Sequence, residues 1–207
     1  MSSVYIVNVS QAYRNMFEDN GWEVVFDLTE ADLVQFTGGE DVTPSLYGDV
    51  HHPQTYNNRS RDIIDQALYG AAKEINLPCA GICRGAQFLH VMSGGKLWQH
   101  VDNHGVYQGH TAFDEVAGKE LIVSSTHHQM LRDDGVGEVL MVAYESDEKN
   151  SGTDKHMHDS EIFGRDIEAV LHKELKNLCY QPHPEFFTKD SDCQRTYFKY
   201  LEMLLWN

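Results

Sequence analysis

Basic charge is scarce in this 207-residue chain: 16 Lys and Arg stand against 32 Asp and Glu, a formal net charge of −16. Such a field repels phosphate backbones and anionic membrane surfaces, which argues against direct nucleic-acid binding. Cysteine is limited to four residues, Cys79, Cys83, Cys179 and Cys193, with no spacing that suggests a disulfide framework. No apolar run approaches the roughly 20 residues that span a bilayer. The first residues enter a strand pattern without a basic leader region, so the expected location is the cytoplasm. A phosphate-cradling Gly-x-Gly-x-x-Gly or a P-loop lysine is also missing, which weakens any nucleotide-binding role for Gly38-Gly39. What remains is an ordinary soluble composition, 41% hydrophobic and 11% aromatic, enough for one domain over residues 1–207 with a sizeable core.

The pattern along the chain alternates strands and helices. Residues 4–9, 22–26 and 32–36 read as strands, and residues 11–20 as a helix closed by Gly21. An irregular stretch, 40–58, is followed by a helix over 61–75, capped by Ser60, with Ile63, Ile64, Ala67, Leu68 and Ala71 on one face. Further strands are expected at 120–125, 137–144, 166–171 and 177–181, and an amphipathic helix at 192–205. Residues 144–160 are polar and unpatterned and read as an exposed loop. This order predicts an α/β fold, a three-layer sandwich with a mostly parallel central sheet covered by helices on both faces. In such sheets ligands bind beyond the carboxyl ends of the strands.

Gly81-Ile82-Cys83-Arg84-Gly85 sits at that edge, between a short apolar strand and a helix that ends at Gly94-Gly95. A strand turning sharply into a helix between two glycines holds a nucleophile exposed at the helix N-terminus. There the unpaired N–H groups and the helix dipole favour thiolate. A cysteine nucleophile needs a base, and the base needs an orienting partner. Gln181-Pro182-His183-Pro184-Glu185 directly follows another strand, and the two prolines stiffen the turn that carries the imidazole. Glu185, two residues on, is placed to reach its other ring nitrogen.

Gly-x-Cys-Arg-Gly-x-Gln followed by Ser-Gly-Gly, with a terminal Gln-x-His-Pro-Glu, resembles the class I glutamine amidotransferase superfamily, whose fold is flavodoxin-like. Thr37–Gly48, Arg61-Asp62-x-x-Asp65 and Ser124–Gln129 resemble its gamma-glutamyl hydrolase branch, which includes the hydrolases of gamma-glutamyl-gamma-aminobutyrate. The resemblance implies a Cys83–His183–Glu185 triad, a gamma-glutamyl thioester on Cys83, and an oxyanion held by the backbone N–H groups of Gly39 and Arg84. It further implies substrate contacts from Gln87, Ser125, Thr126, His127 and His128. The implied partner is a small gamma-glutamyl molecule. An ammonia-accepting synthetase is the alternative, and a second copy in a homodimer is left open; no cofactor is implied. The sequence departs from the relatives at Pro182, where Trp is frequent, at His90, where Asn is common, and in overall length. A binding or regulatory protein without turnover on the same fold is the alternative of another class.

Among 12 histidines, His51-His52, His127-His128 and His156-x-His158 raise the question of a metal. None of these pairs has the helical spacing of a zinc motif, so no metal is expected, and His127-His128 is assigned to the pocket lining through the resemblance.

Overall fold

The computed structural model describes residues 1–152, 155–157 and 165–206. The strands are β1 (Ser3–Ile6), β2 (Glu23–Val25), β3 (Leu33–Phe36), β4 (Cys79–Ile82), β5 (Leu97–Trp98), β6 (His100–Val101), β7 (Gly105–Asp114), β8 (Lys119–Thr126), β9 (Met130–Leu131), β10 (Glu138–Ala143), β11 (Glu148–Asn150), β12 (Lys155–Met157), β13 (Asp166–His172) and β14 (Asn177–Tyr180). The α-helices are α1 (Gln11–Asp19), α2 (Arg59–Glu74), α3 (Arg84–Met92) and α4 (Asp192–Trp206).

The main sheet runs β2-β1-β3-β4-β14-β13-β10-β7-β8. Its first five strands are parallel, and they carry the site; from β13 onward the neighbours are antiparallel. Side chains alternate across the parallel strands, as the pleat requires. Leu33, Ala80, Leu178 and Tyr180 face α1 and α4, packing with Phe17, Tyr197 and Leu201. Val34, Phe36, Cys79 and Cys179 face the other layer and pack with Ala72, Phe88 and Leu89. Cys79, Cys179 and Cys193 are buried free thiols. Among the described residues, no helix is long and apolar enough to cross a membrane.

Several local expectations are corrected. The cap of α2 is Asn58, whose side chain accepts the Arg61 N–H, rather than Ser60. The same helix turns its charged side inward: Asp62 and Asp65 are buried, while Ile63 and Ile64 are exposed. The stretch 40–58 is tied down, because Asp41 accepts the Tyr56 N–H and Thr43 bonds to Asp62. Residues 144–160 are not simply an exposed loop. β11 pairs with β6 and β12, and Lys149 is buried against Asp166 at 2.7 Å. Residues 153–154 and 158–164, including His158, lie outside the described residues.

Candidate active site

Cys83 follows β4 directly and caps α3 with φ 51° and ψ −112°, a backbone conformation that L-residues rarely adopt. The flanking glycines are required sterically. A Cβ on Gly81 would collide with the backbone of Gly85, and one on Gly85 would collide with the carbonyl group of Phe36. The strand and helix therefore approach closely, and the thiol is the side chain left at the turn. Arg84 opens the first turn of α3, where the helix supplies no acceptor for its N–H.

The guanidinium of Arg84 is 1% exposed and does not reach for a ligand. It is clamped between Asp62, at 2.5 Å, and Asp65. Asp65 also holds Arg61 at 3.2 Å, and Arg61 donates to the carbonyls of Thr37 and Gly38. One charged cluster thus braces the elbow and the loop that carries Gly39. The N–H of Gly38 donates to the hydroxyl of Tyr13 at 2.9 Å, which fixes the same loop from α1. Gly39 has φ +147°, and a Cβ there would collide with Arg61.

His183 lies at the carboxyl edge of β14, and its backbone N–H donates to Ser124 Oγ at 2.6 Å. Its Nδ1 is 2.6 Å from Glu185 Oε1, and its ring stacks on Phe186. Burial alone would lower the imidazole pKa. The charge and hydrogen bond of Cys83, together with those of Glu185, outweigh burial and raise it to about 10. The structure therefore pairs His183 with Glu185 and brings that pair beside Cys83, whose proximity favours the charged imidazole.

A cleft of about 210 Å³ opens at Cys83. Gly39, Gln87, Thr126, His127 and His128 line it, as do Asp41 and Tyr56 from the 40–58 stretch. Gln87 is anchored by donating to the Gln129 carbonyl at 3.0 Å, and His128 reaches Asp41 at 3.3 Å. Ser125 is not brought to the cleft: its hydroxyl donates to the His104 carbonyl at 2.5 Å. A larger cavity, about 640 Å³ near Met1, Pro78 and Leu204, lies by the amino ends of the strands, and neither cysteine nor histidine lines it. Chemistry, not size, selects the smaller one.

Sequence reasoning gave no role to Tyr13 or Tyr56, which belong to no local motif, nor to Asp41 and Ser124, which lie inside motifs without a role of their own. The Arg61-Asp62-x-x-Asp65 segment was visible as a motif, but its use as a brace was not.

A profile of the family described as peptidase C26 matches residues 23–149. The glutamine amidotransferase-like protein YvdE of Lactococcus lactis is 28% identical over 205 residues, covering 84% of this chain and 79% of that protein. Among solved structures, a glutamine amidotransferase from Thermotoga maritima superimposes with a TM-score of 0.59 at 14% identity, covering all of this chain and 86% of the other. The glutaminase domain of the Trypanosoma brucei protein CTPS gives a TM-score of 0.58 at 14% identity, covering 99% and 94%. The fold is that of the class I glutamine amidotransferases.

Proposed function

Because this chain belongs to the peptidase C26 family, we propose that it is a cysteine hydrolase of a gamma-glutamyl amide bond, with residues 1–207 as one catalytic domain. The observation that carries the reading is the 2.6 Å pairing of His183 with Glu185, beside a cysteine held at positive φ between two indispensable glycines. Cys83 Sγ attacks the amide carbon, and the carbonyl electrons move onto oxygen. The backbone N–H groups of Arg84 and Gly39 receive that oxyanion. His183 passes its proton to the departing nitrogen, leaving a gamma-glutamyl thioester on Cys83. The now neutral imidazole then takes a proton from water, which attacks the thioester and frees glutamate and the thiolate. Glu185 holds the imidazole in the required tautomer throughout.

Gln87, Thr126, His127 and His128 form the cleft wall that we assign to the glutamate end of the substrate. The cleft's small volume suits one amino-acid-sized group, and either glutamine or a gamma-glutamyl amine presents one. The gamma-glutamyl hydrolase branch is our choice, on the Arg61-Asp62-x-x-Asp65 brace and the His127-His128-Gln129 wall.

The name of the Lactococcus relative favours a second reading, a glutaminase that hands ammonia to a separate synthetase. Glutamate release from L-glutamine and from gamma-glutamyl amines, by the purified chain and by Cys83→Ala, tests both. Release that disappears in the variant supports the mechanism, and the better substrate chooses between the readings. Unchanged release by Cys83→Ala overturns it.

A further inference from the structure

Behind the cleft wall, three residues from distant parts of the sequence converge. His104 precedes β7, His127 follows β8, and Glu168 lies in the middle of β13. All three are buried, and their ligating atoms lie within 4.8 Å of one another.

The hydrogen bonds around them fix which atoms face inward. His127 Nδ1 lies 3.0 Å from the carbonyl oxygen of Gln129, an acceptor only, so Nδ1 carries the proton and Nε2 keeps its lone pair. His104 Nε2 lies 3.1 Å from the Asp166 carboxylate, so Nε2 carries the proton and Nδ1 keeps its lone pair. His110 occupies one oxygen of Glu168, Oε1, at 2.9 Å. Left over are His127 Nε2, His104 Nδ1 and Glu168 Oε2, each buried and without a hydrogen-bond partner among the described residues. His104 Nδ1 stands 3.5 Å from Glu168 Oε1, at the outer limit for a hydrogen bond.

The three residues thus bring one ligand atom each within 4.8 Å of the others in a buried space, and acceptors gathered so closely call for something positive between them. One water can donate to only two of the three acceptors. We propose that His104, His127 and Glu168 form a buried binding site for a divalent transition-metal ion of the zinc type.

Two imidazoles and one carboxylate are a donor set that zinc accepts, with a fourth position left for water. Atoms ligating a tetrahedral zinc at about 2.0–2.1 Å lie about 3.3 Å apart, so the pocket has only to contract modestly around the ion. The outer contacts are those of metal-bound histidines: a carboxylate behind His104 and a backbone carbonyl behind His127. The Glu168 backbone carbonyl also accepts the Gln181 N–H at 2.8 Å, beside the turn that carries His183. An ion here ties three strand segments together and fixes the wall to which His127 belongs. This goes against the absence of metal expected from the sequence, and it does not depend on the substrate assigned above.

Metal-free Cys83→Ala protein, in which the thiol of the cleft cannot ligate, is titrated with Co²⁺ and with Zn²⁺. The expected result is one ion per chain, visible d–d bands of a four-coordinate Co²⁺, no thiolate charge-transfer band, and loss of binding in Glu168→Gln. A second buried cluster, His90, His172 and Cys179, would announce itself by a sulfur signal. X-ray absorption at the zinc edge of the same protein needs no second variant and should show two imidazoles with oxygen and no sulfur. No stoichiometric binding, sulfur in the ligand shell, or binding undiminished in a folded Glu168→Gln each overturns the proposal.

Discussion

The carboxylate of Asp62 grips the guanidinium of Arg84 at 2.5 Å, in a setting where both side chains are nearly or fully buried. The residue after Cys83 is therefore positioned by Asp62, on a helix that lies some 20 residues earlier in the sequence. With Asp65 and Arg61, this pair carries the link onward to Thr37 and Gly38.

Removing one partner of that cluster strands a buried charge. Asp65→Ala leaves Arg84 with Asp62 alone and releases Arg61 from its place under the Gly38 carbonyl. The expected loss is about 3–5 kcal/mol of folding stability, read by denaturant titration, with a fall in kcat measured in whatever fraction stays folded.

The elbow stores conformational strain at Cys83. Cys83→Ala and Cys83→Gly are both expected to abolish turnover. Glycine tolerates positive φ, so the glycine variant should match or exceed the alanine variant in stability by about 1 kcal/mol. Denaturant titration of the two variants checks this, and a less stable glycine variant would contradict the strain.

In the mechanism proposed above, proton donation to the leaving group requires His183 in its charged form. Burial opposes that form, but Cys83 and Glu185 hold it up to about 10. Turnover should therefore persist into alkaline solution and decline as pH rises through about 10. Glu185→Gln removes the supporting charge, moving the alkaline limb to lower pH and cutting kcat by on the order of 10²–10⁴. A pH–rate profile of both proteins decides.

His90 and His172 share a hydrogen bond at 3.1 Å between their ring nitrogens, and burial pushes both from 6.5 to about 4. The folded chain thus refuses protons that the unfolded chain accepts between those values. Stability from this pair is complete above pH 6.5 and drains away as pH falls from 6.5 to 4. Thermal melts across that window should show the decline, and His90→Asn should flatten it; an identical slope in the variant would refute the assignment.

Gly85→Ala drives a methyl into the Phe36 carbonyl group. Because the obstacle is backbone in the neighbouring strand, the elbow must shift. Activity should fall at least about 10²-fold even where circular dichroism is unchanged.

The parallel half of the fold was legible because its signals are local. Apolar strands, Gly21 at φ 81° after α1, and the two glycines around Cys83 all act within a few residues of themselves. The antiparallel half was partly hidden. β7 was missed because a register irregularity between Val106 and His110, with Gly109 at φ 73°, interrupts the period-two pattern. The inward face of α2 was misjudged for a different reason. Ile63 and Ile64 look like core by hydropathy, yet Arg84 draws Asp62 and Asp65 inside instead. Lys149 reads as solvated until Asp166, 17 residues on, supplies its partner. For the site, Cys83 and His183-Pro184-Glu185 carried their own motifs. Tyr13 and Ser124 act through one hydrogen bond each, across distances the sequence does not encode.

Burial pushes the Cys79 thiol up to about 11, the Cys193 thiol up to about 12, and Cys179 higher still. These sulfurs are packing material, closed to solvent and kept protonated in ordinary buffers. Cys83, by contrast, lines the cleft described above. To an electrophilic warhead the molecule offers a single address: alkylation under native conditions should add one mass increment, on Cys83, while the other three sulfurs emerge only when the chain is unfolded.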